Sequence, residues 1–171
     1  MKHICLAGGC FWGLEALFSG LPGVIRTECG YANGYERLVP DYLTVCSGRF
    51  GYREAVSLEY DRPMELNTIL KIFFFMIDPT ERGRQGNDIG PQYQTGIYWS
   101  DPESEREIIR FISEERTKYD VFETEVCQLK RFVPAEDYHQ QYLKKNPGGY
   151  CHFSRDKMEY VRNGAFQDKD E

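Results

Sequence analysis

The strongest constraint on how this chain folds is the order in which its apolar periodicity changes between His3 and Trp99. "HICLAG" (His3 to Gly8) is a short apolar run of strand type. Leu14, Leu17, Phe18 and Leu21 follow at helical spacing until "SGLPG" stops the helix. "VIRTECGY" (Val24 to Tyr31) and "EAVSLEYD" (Glu54 to Asp61) read as strands, and in the second Val56, Leu58 and Tyr60 alternate with Ala55, Ser57 and Glu59. Pro63 is expected to open a second helix with Leu66, Ile69, Leu70 and Phe73 on one face, followed by a strand at "TGIYW" (Thr95 to Trp99). The resulting order, β-α-β-β-α-β, is the signature of a ferredoxin-like split βαβ unit. Asp101-Pro102 is set to cap a further helix carrying Ile108, Ile109, Phe111 and Ile112. A strand near Glu123 to Gln128 and a helix from Pro134 complete the folded part. The expected class is therefore α+β: a ferredoxin-like βαββαβ core with an added helix and strand. Residues 1–150 read as one domain and residues 151–171 as a polar, loosely ordered C-terminal tail.

Two segments carry no periodicity, residues 32–53 and 78–94. Structureless stretches of that length in a compact domain are often functional, and both contain tyrosines and acids; the alternative is plain surface connection. The net charge of -6 and pI near 5.2 give no basic footprint for nucleic acid or anionic membrane. "IFFFMI" (Ile72 to Ile77) is too short to cross a bilayer, and "MKHICLAGG" lacks the pattern of a secretion signal. The expectation is a cytoplasmic protein. Its six cysteines include no Cys-x-x-Cys pair, so neither a disulfide framework nor a metal site is expected. Cys5, Cys29, Cys46 and Cys127 read as small buried hydrophobes.

Cys10 stands apart. In "GGCFWG" it falls where a strand ends and a helix begins, so unpaired helix N–H groups and the positive end of the helix dipole lie near its sulfur. Such a position is expected to favour thiolate. Phe11 and Trp12 either plug the core or wall an apolar pocket beside the sulfur, and the cysteine itself is either packed or reactive. Glu54 shares the parity of Val56, Leu58 and Tyr60, which turns it toward an apolar face and raises its pKa enough for a proton donor. The other possibility is that it ends the strand in solvent. No histidine is evidently placed as a base: His3 begins the first strand, and His139 and His152 lie far along the chain. An activated thiol with an acid, phenols and aromatic walls suits a substrate whose oxygen leaves as water, such as a sulfoxide. A cysteine hydrolase normally needs a histidine base. An aromatic cage of Phe11, Trp12, Tyr42 and Glu54 holding a methylated ammonium is a third class.

"GGCFWG", "YLTVCSG", "GNDIGPQY", "PAEDYHQQYL" and "NPGGYC", in this order, resemble the peptide methionine sulfoxide reductase A family, from Ile4 to about His152. The resemblance implies thiol-dependent reduction of the S epimer of methionine sulfoxide, free or in proteins. It implies Cys10 as nucleophile, Glu54 as the acid that protonates the sulfoxide oxygen, and Tyr42 and Tyr93 as phenols that hydrogen-bond that oxygen. Phe11 and Trp12 would hold the substrate methyl group, and Asp88 would touch or organise the substrate. Cys151 would resolve a Cys10 sulfenic acid into a disulfide that a thioredoxin-type dithiol reopens. No metal or organic cofactor is implied. Cys46 is the rival for the resolving role. One departure stands out: the family commonly has "GHxE" where this chain has "GYRE", which places Tyr52 in the histidine position.

Overall fold

Six strands share one sheet, with helices laid over one of its faces. In chain order the elements are β1 (Lys2–Ala7), α1 (Phe11–Phe18), β2 (Val24–Ala32), α2 (Tyr42–Cys46), β3 (Arg53–Tyr60) and α3 (Leu66–Met76). A two-stranded ribbon follows, β4 (Arg84–Gln85) and β5 (Asp88–Ile89), then β6 (Gly96–Trp99), α4 (Pro102–Glu115), β7 (Glu125–Gln128), β8 (Phe132–Pro134), α5 (Tyr142–Lys145) and α6 (Arg155–Arg162). This computed structural model describes residues 1–166. The large sheet runs β7-β6-β1-β3-β2-β8. Its four inner strands, with α1 and α3 as crossovers, are the expected βαββαβ core, all antiparallel; β7 joins β6 in parallel and β8 joins β2.

Strand alternation decides what each face carries. Ile4 and Leu6 of β1, Val56, Leu58 and Tyr60 of β3, and Ile97 of β6 point into one core. They pack there against Leu14, Leu17 and Phe18 of α1 and Ile69, Leu70 and Phe73 of α3. The opposite face is smaller, built from Cys5, Ala7, Ala32, Ala55 and Tyr98. A single Leu-to-Ala change in α1, at Leu14 or Leu17, removes a side chain with no solvent exposure and should cost about 2–5 kcal/mol. At α4 the Asp101 carboxylate accepts from the Ser104 N–H at 2.8 Å, and Pro102 occupies the first turn, as the sequence predicts.

Several expectations are corrected. Pro63 does not open α3: it sits in the turn before it, and Glu65 is the N-cap. Pro134 ends strand β8 instead of starting a helix; beyond it come a short 3-10 turn (Asp137–His139) and α5. Both aperiodic segments contain short elements, α2 in the first and the β4–β5 ribbon in the second. Cys46 and Cys127 are half-buried, unlike the fully buried Cys5 and Cys29. The tail is held over residues 151–166. Ser154 caps α6 by accepting from the Lys157 N–H, and Phe153, Met158 and Val161 are buried. Met158 and Val161, one turn apart, dock one face of this polar helix, and Phe153 packs just before its N-cap. Residues 167–171 of that tail lie outside the described residues.

Candidate active site

The junction of β1 and α1 presents the thiol. Gly9 at φ +80° turns the chain, Cys10 is the N-cap of α1, and the backbone N–H groups of Trp12 and Gly13 point at its sulfur. The thiolate expectation is nevertheless overturned. Cys10 is 7% exposed, and burial pushes its pKa well up; the nearby Glu54 and Asp88 carboxyls push the same way, outweighing the two N–H groups. At rest the group is a thiol.

Glu54 lies inward, 1% exposed, and accepts from the Phe11 N–H at 3.3 Å. Burial raises its pKa to about 8, assisted by Asp88 and opposed by the Phe11 N–H. A carboxyl group so placed holds its proton at neutral pH and can release it to an oxygen that acquires charge. Asp88, on β5, accepts from the Cys10 N–H at 3.4 Å and from the Tyr150 hydroxyl at 3.0 Å. Tyr42 opens α2, held by its N–H to Glu136 at 3.1 Å, and Tyr93 closes a 3-10 turn. Burial lifts the pKa of both phenols. Glu54 and Cys10 are each close enough to lift them further, so the fold gathers all four groups in one place. Both phenols stay protonated donors across the ordinary pH range.

Phe11 is packed within the core at 1% exposure, whereas Trp12 remains partly exposed. The Trp12 ring stacks on Tyr142 with centroids 3.7 Å apart, and its Nε1–H donates to His139 Nδ1 at 3.0 Å. His139 is itself buried against the rings of Phe11 and Tyr42. His139 and His152 lie far along the chain from Cys10; the fold brings His139 onto Phe11, Trp12 and Tyr42, and His152 onto the glycines that flank Cys10. His152 donates to the Gly8 carbonyl at 2.7 Å and lies 3.8 Å from Asp88. The one available signal was their place in "PAEDYHQQYL" and directly after Cys151. Cys151 rests against α1 with its sulfur 3.8 Å from Met158 Sδ. Cys46, the rival, is half-buried at the end of α2, the helix that Tyr42 opens.

Residues 2–170 match the family model described as peptide methionine sulfoxide reductase. The chain belongs to the peptide methionine sulfoxide reductase family. A relative from Clostridium acetobutylicum, peptide methionine sulfoxide reductase MsrA, is 46% identical over 160 residues, covering 92% of this chain and 98% of that protein. The MsrA of Mycoplasma pneumoniae is 47% identical over 158 residues, covering 91% of this chain and 100% of that protein. Among solved structures, reduced Mxr1 from Saccharomyces cerevisiae superposes with a TM-score of 0.82 at 34% identity, with 88% of each chain covered. Mxr1 in complex with Trx2 shares the fold at a TM-score of 0.57 and 22% identity, covering 82% of this chain and 84% of that one. Family membership makes the chain an oxidoreductase. Tyr52, where the family commonly has histidine, is buried, with its hydroxyl 2.8 Å from the carbonyls of Tyr35 and Leu38. It ties down the loop that carries Tyr42.

Proposed function

We propose that this reductase converts the S epimer of methionine sulfoxide, free or in proteins, to methionine through a cycle of two cysteines. The observation that carries the reading is the pairing of a buried Cys10 thiol with a Glu54 carboxyl whose pKa is raised to about 8. Cys10 sulfur attacks the sulfoxide sulfur while Glu54 gives its proton to the oxygen, and Tyr42 and Tyr93 hydrogen-bond that oxygen as its charge grows. The thiol proton is taken up by the Glu54 carboxylate left when its own proton goes to the oxygen, so the step consumes no net proton and the neutral thiol, a poor nucleophile, attacks as thiolate. Phe11 and Trp12 wall the methyl group, and Asp88 orders the Cys10 backbone and the polar side of the substrate. Methionine leaves, and the oxygen stays on Cys10 as a sulfenic acid.

Cys151 then condenses with the sulfenic acid, and an external dithiol reopens the bridge by exchange. Residues 1–150 serve as the catalytic domain and 151–171 as the segment bearing the resolving cysteine. Cys151 borders a groove of about 570 Å³ lined by Leu143, Gly149, Met158 and Arg162, which supports access of a reductant to its sulfur. The complex of Mxr1 with Trx2 supports a thioredoxin-type partner. The cycle uses no metal or bound organic cofactor. Six free cysteines suit the cytoplasm, where thiols are kept reduced. The deciding experiment is incubation with each resolved methionine sulfoxide epimer and dithiothreitol. Methionine should appear from the S epimer alone; release from neither epimer refutes the reading.

A further inference from the structure

The proposed cycle leaves two buried histidine side chains of the site, His139 and His152, without a task, and His152 is the one that lies beside Cys151. The His152 side chain is 3% exposed and lies across the amino end of α1. Its Nε2–H donates to the Gly8 carbonyl at 2.7 Å, which sets the neutral tautomer and leaves Nδ1 an acceptor. Among the described residues Nδ1 has no hydrogen-bond partner, and the nearest Asp88 oxygen, 3.8 Å away, is an acceptor too. Two glycines of "GGCFWG" make the seat. A Cβ on Gly9 would come 2.8 Å from Nε2, and a Cβ on Gly13 would come 2.9 Å from Nδ1. The same Gly13 Cβ would stand 3.1 Å from Cys151 Sγ, so imidazole and thiol rest side by side on one glycine.

Gly13 follows Cys10 by three residues and lies on the same side of α1, so Cys151 waits about one helical turn from the nucleophile. The chain that carries it, residues 146–154, has no helix or strand of its own. Its polar ties to the Cys10 region are the exposed Tyr150–Asp88 hydrogen bond and the part-buried His152–Gly8 hydrogen bond, made by a side chain that is itself buried. A bond made by a buried side chain in a fitted seat orders a segment far better than an exposed one.

We propose that His152 is the positioning residue for the second half of the cycle, its hydrogen bond to Gly8 holding Cys151 where it can reach the Cys10 sulfenic acid. The inference rests on the reading of Cys151 as the resolving cysteine. In the step it serves, the Cys151 sulfur forms a bond to the Cys10 sulfur and the Cys10 S–O bond breaks. The hydroxyl leaves as water with the proton that Cys151 gives up. Cys151 is oxidised, Cys10 is reduced, and no further reagent enters. Holding two reactants in register is the whole contribution, and such positioning governs rates steeply.

The test is a single turnover of the reduced enzyme with one equivalent of methionine sulfoxide. Methionine release, dimedone-trapped Cys10 sulfenic acid and the Cys10–Cys151 bridge are followed by quenching and mass spectrometry. His152→Ala should form the bridge about 10- to 100-fold more slowly and accumulate sulfenic acid, with a far smaller change in methionine release. His152→Gln, whose amide N–H can meet the Gly8 carbonyl, should recover most of the loss. Gly13→Ala displaces imidazole and thiol together while improving helix propensity, and should show the same split between the two steps. Bridge formation at the wild-type rate in His152→Ala and Gly13→Ala overturns the inference, as does an equal slowing of both steps. A wild-type enzyme that forms no Cys10–Cys151 bridge instead removes the reading of Cys151 on which the inference stands.

Discussion

The two cysteines proposed to act in sequence are held in opposite ways. Cys10 is fixed by its own neighbours: β1 delivers it, Gly9 turns it, and α1 begins on it. Cys151 sits on a stretch with no regular structure, held by one contact distant in sequence, His152 on Gly8, and by the helix that follows it, with Met158 of the buried face of α6 beside its sulfur. The first arrangement suits a nucleophile that must meet an acid at fixed geometry. The second suits a thiol that must reach its partner, form a bond and then face an outside reductant. Rigidity is placed where bonds to substrate form, and releasable contacts where the product of that chemistry is handed on.

The comparison predicts separable losses. Cys10→Ser should abolish methionine release while the protein stays folded, because an alcohol is far less nucleophilic and cannot carry the oxygen; turnover near wild type in that variant would falsify the assignment. Glu54→Gln keeps the shape of the acid but not its proton, and kcat/KM should fall by about 10² to 10⁴. Wild-type activity should also fall as pH rises through about 8, where Glu54 ionises, and in the Gln variant that limb should vanish. The linkage runs the same way. The folded-state pKa lies above the ordinary carboxylate value, so the stability contributed by the protonated form is complete below about 4.5 and is lost as pH rises through about 8. Thermal melts should therefore favour Glu54→Gln over wild type more at pH 9 than at pH 5; equal differences at both would refute the burial argument.

Cys151→Ser should separate the two halves. One methionine per enzyme should still appear in a single turnover, while steady turnover with thioredoxin falls by about tenfold or more and small thiols partly restore it. A Cys10–Cys46 bridge in the wild type, with Cys151→Ser fully active on thioredoxin, would transfer the role to α2. The smallest effect belongs to Tyr52→Phe. Removing a buried hydroxyl whose partners are two loop carbonyls should cost about 1–3 kcal/mol, measured by denaturant titration. An unchanged midpoint would mean that the loop bearing Tyr42 is anchored without it.

What the sequence disclosed divides along the same line. Alternation in β3 turned Glu54 inward because strand parity is strictly local, and Asp101-Pro102 capped α4 because a cap needs only its own first turn. The βαββαβ order was legible for the same reason. His139 and His152 were missed as parts of the site because nothing in their local pattern encodes a contact with α1 or Gly8 spanning more than a hundred residues. The hold on the tail was missed too, since α6 is polar along most of its length and docks through Met158 and Val161. The Cys10 pKa was misjudged for a related reason. The helix start that favours thiolate is local, whereas the burial and carboxyls that oppose it come from β3 and β5.

That buried, protonated sulfur bears on which oxidant the protein notices. Peroxide attacks thiolates, so a permanently ionised Cys10 would be carried to the same sulfenic acid by peroxide, and reductant would be spent with no methionine repaired. A proton kept in place until a sulfoxide arrives makes the resting protein a poor peroxide scavenger. Reducing equivalents are then kept for sulfoxide, the substrate that brings its own oxygen to the thiol.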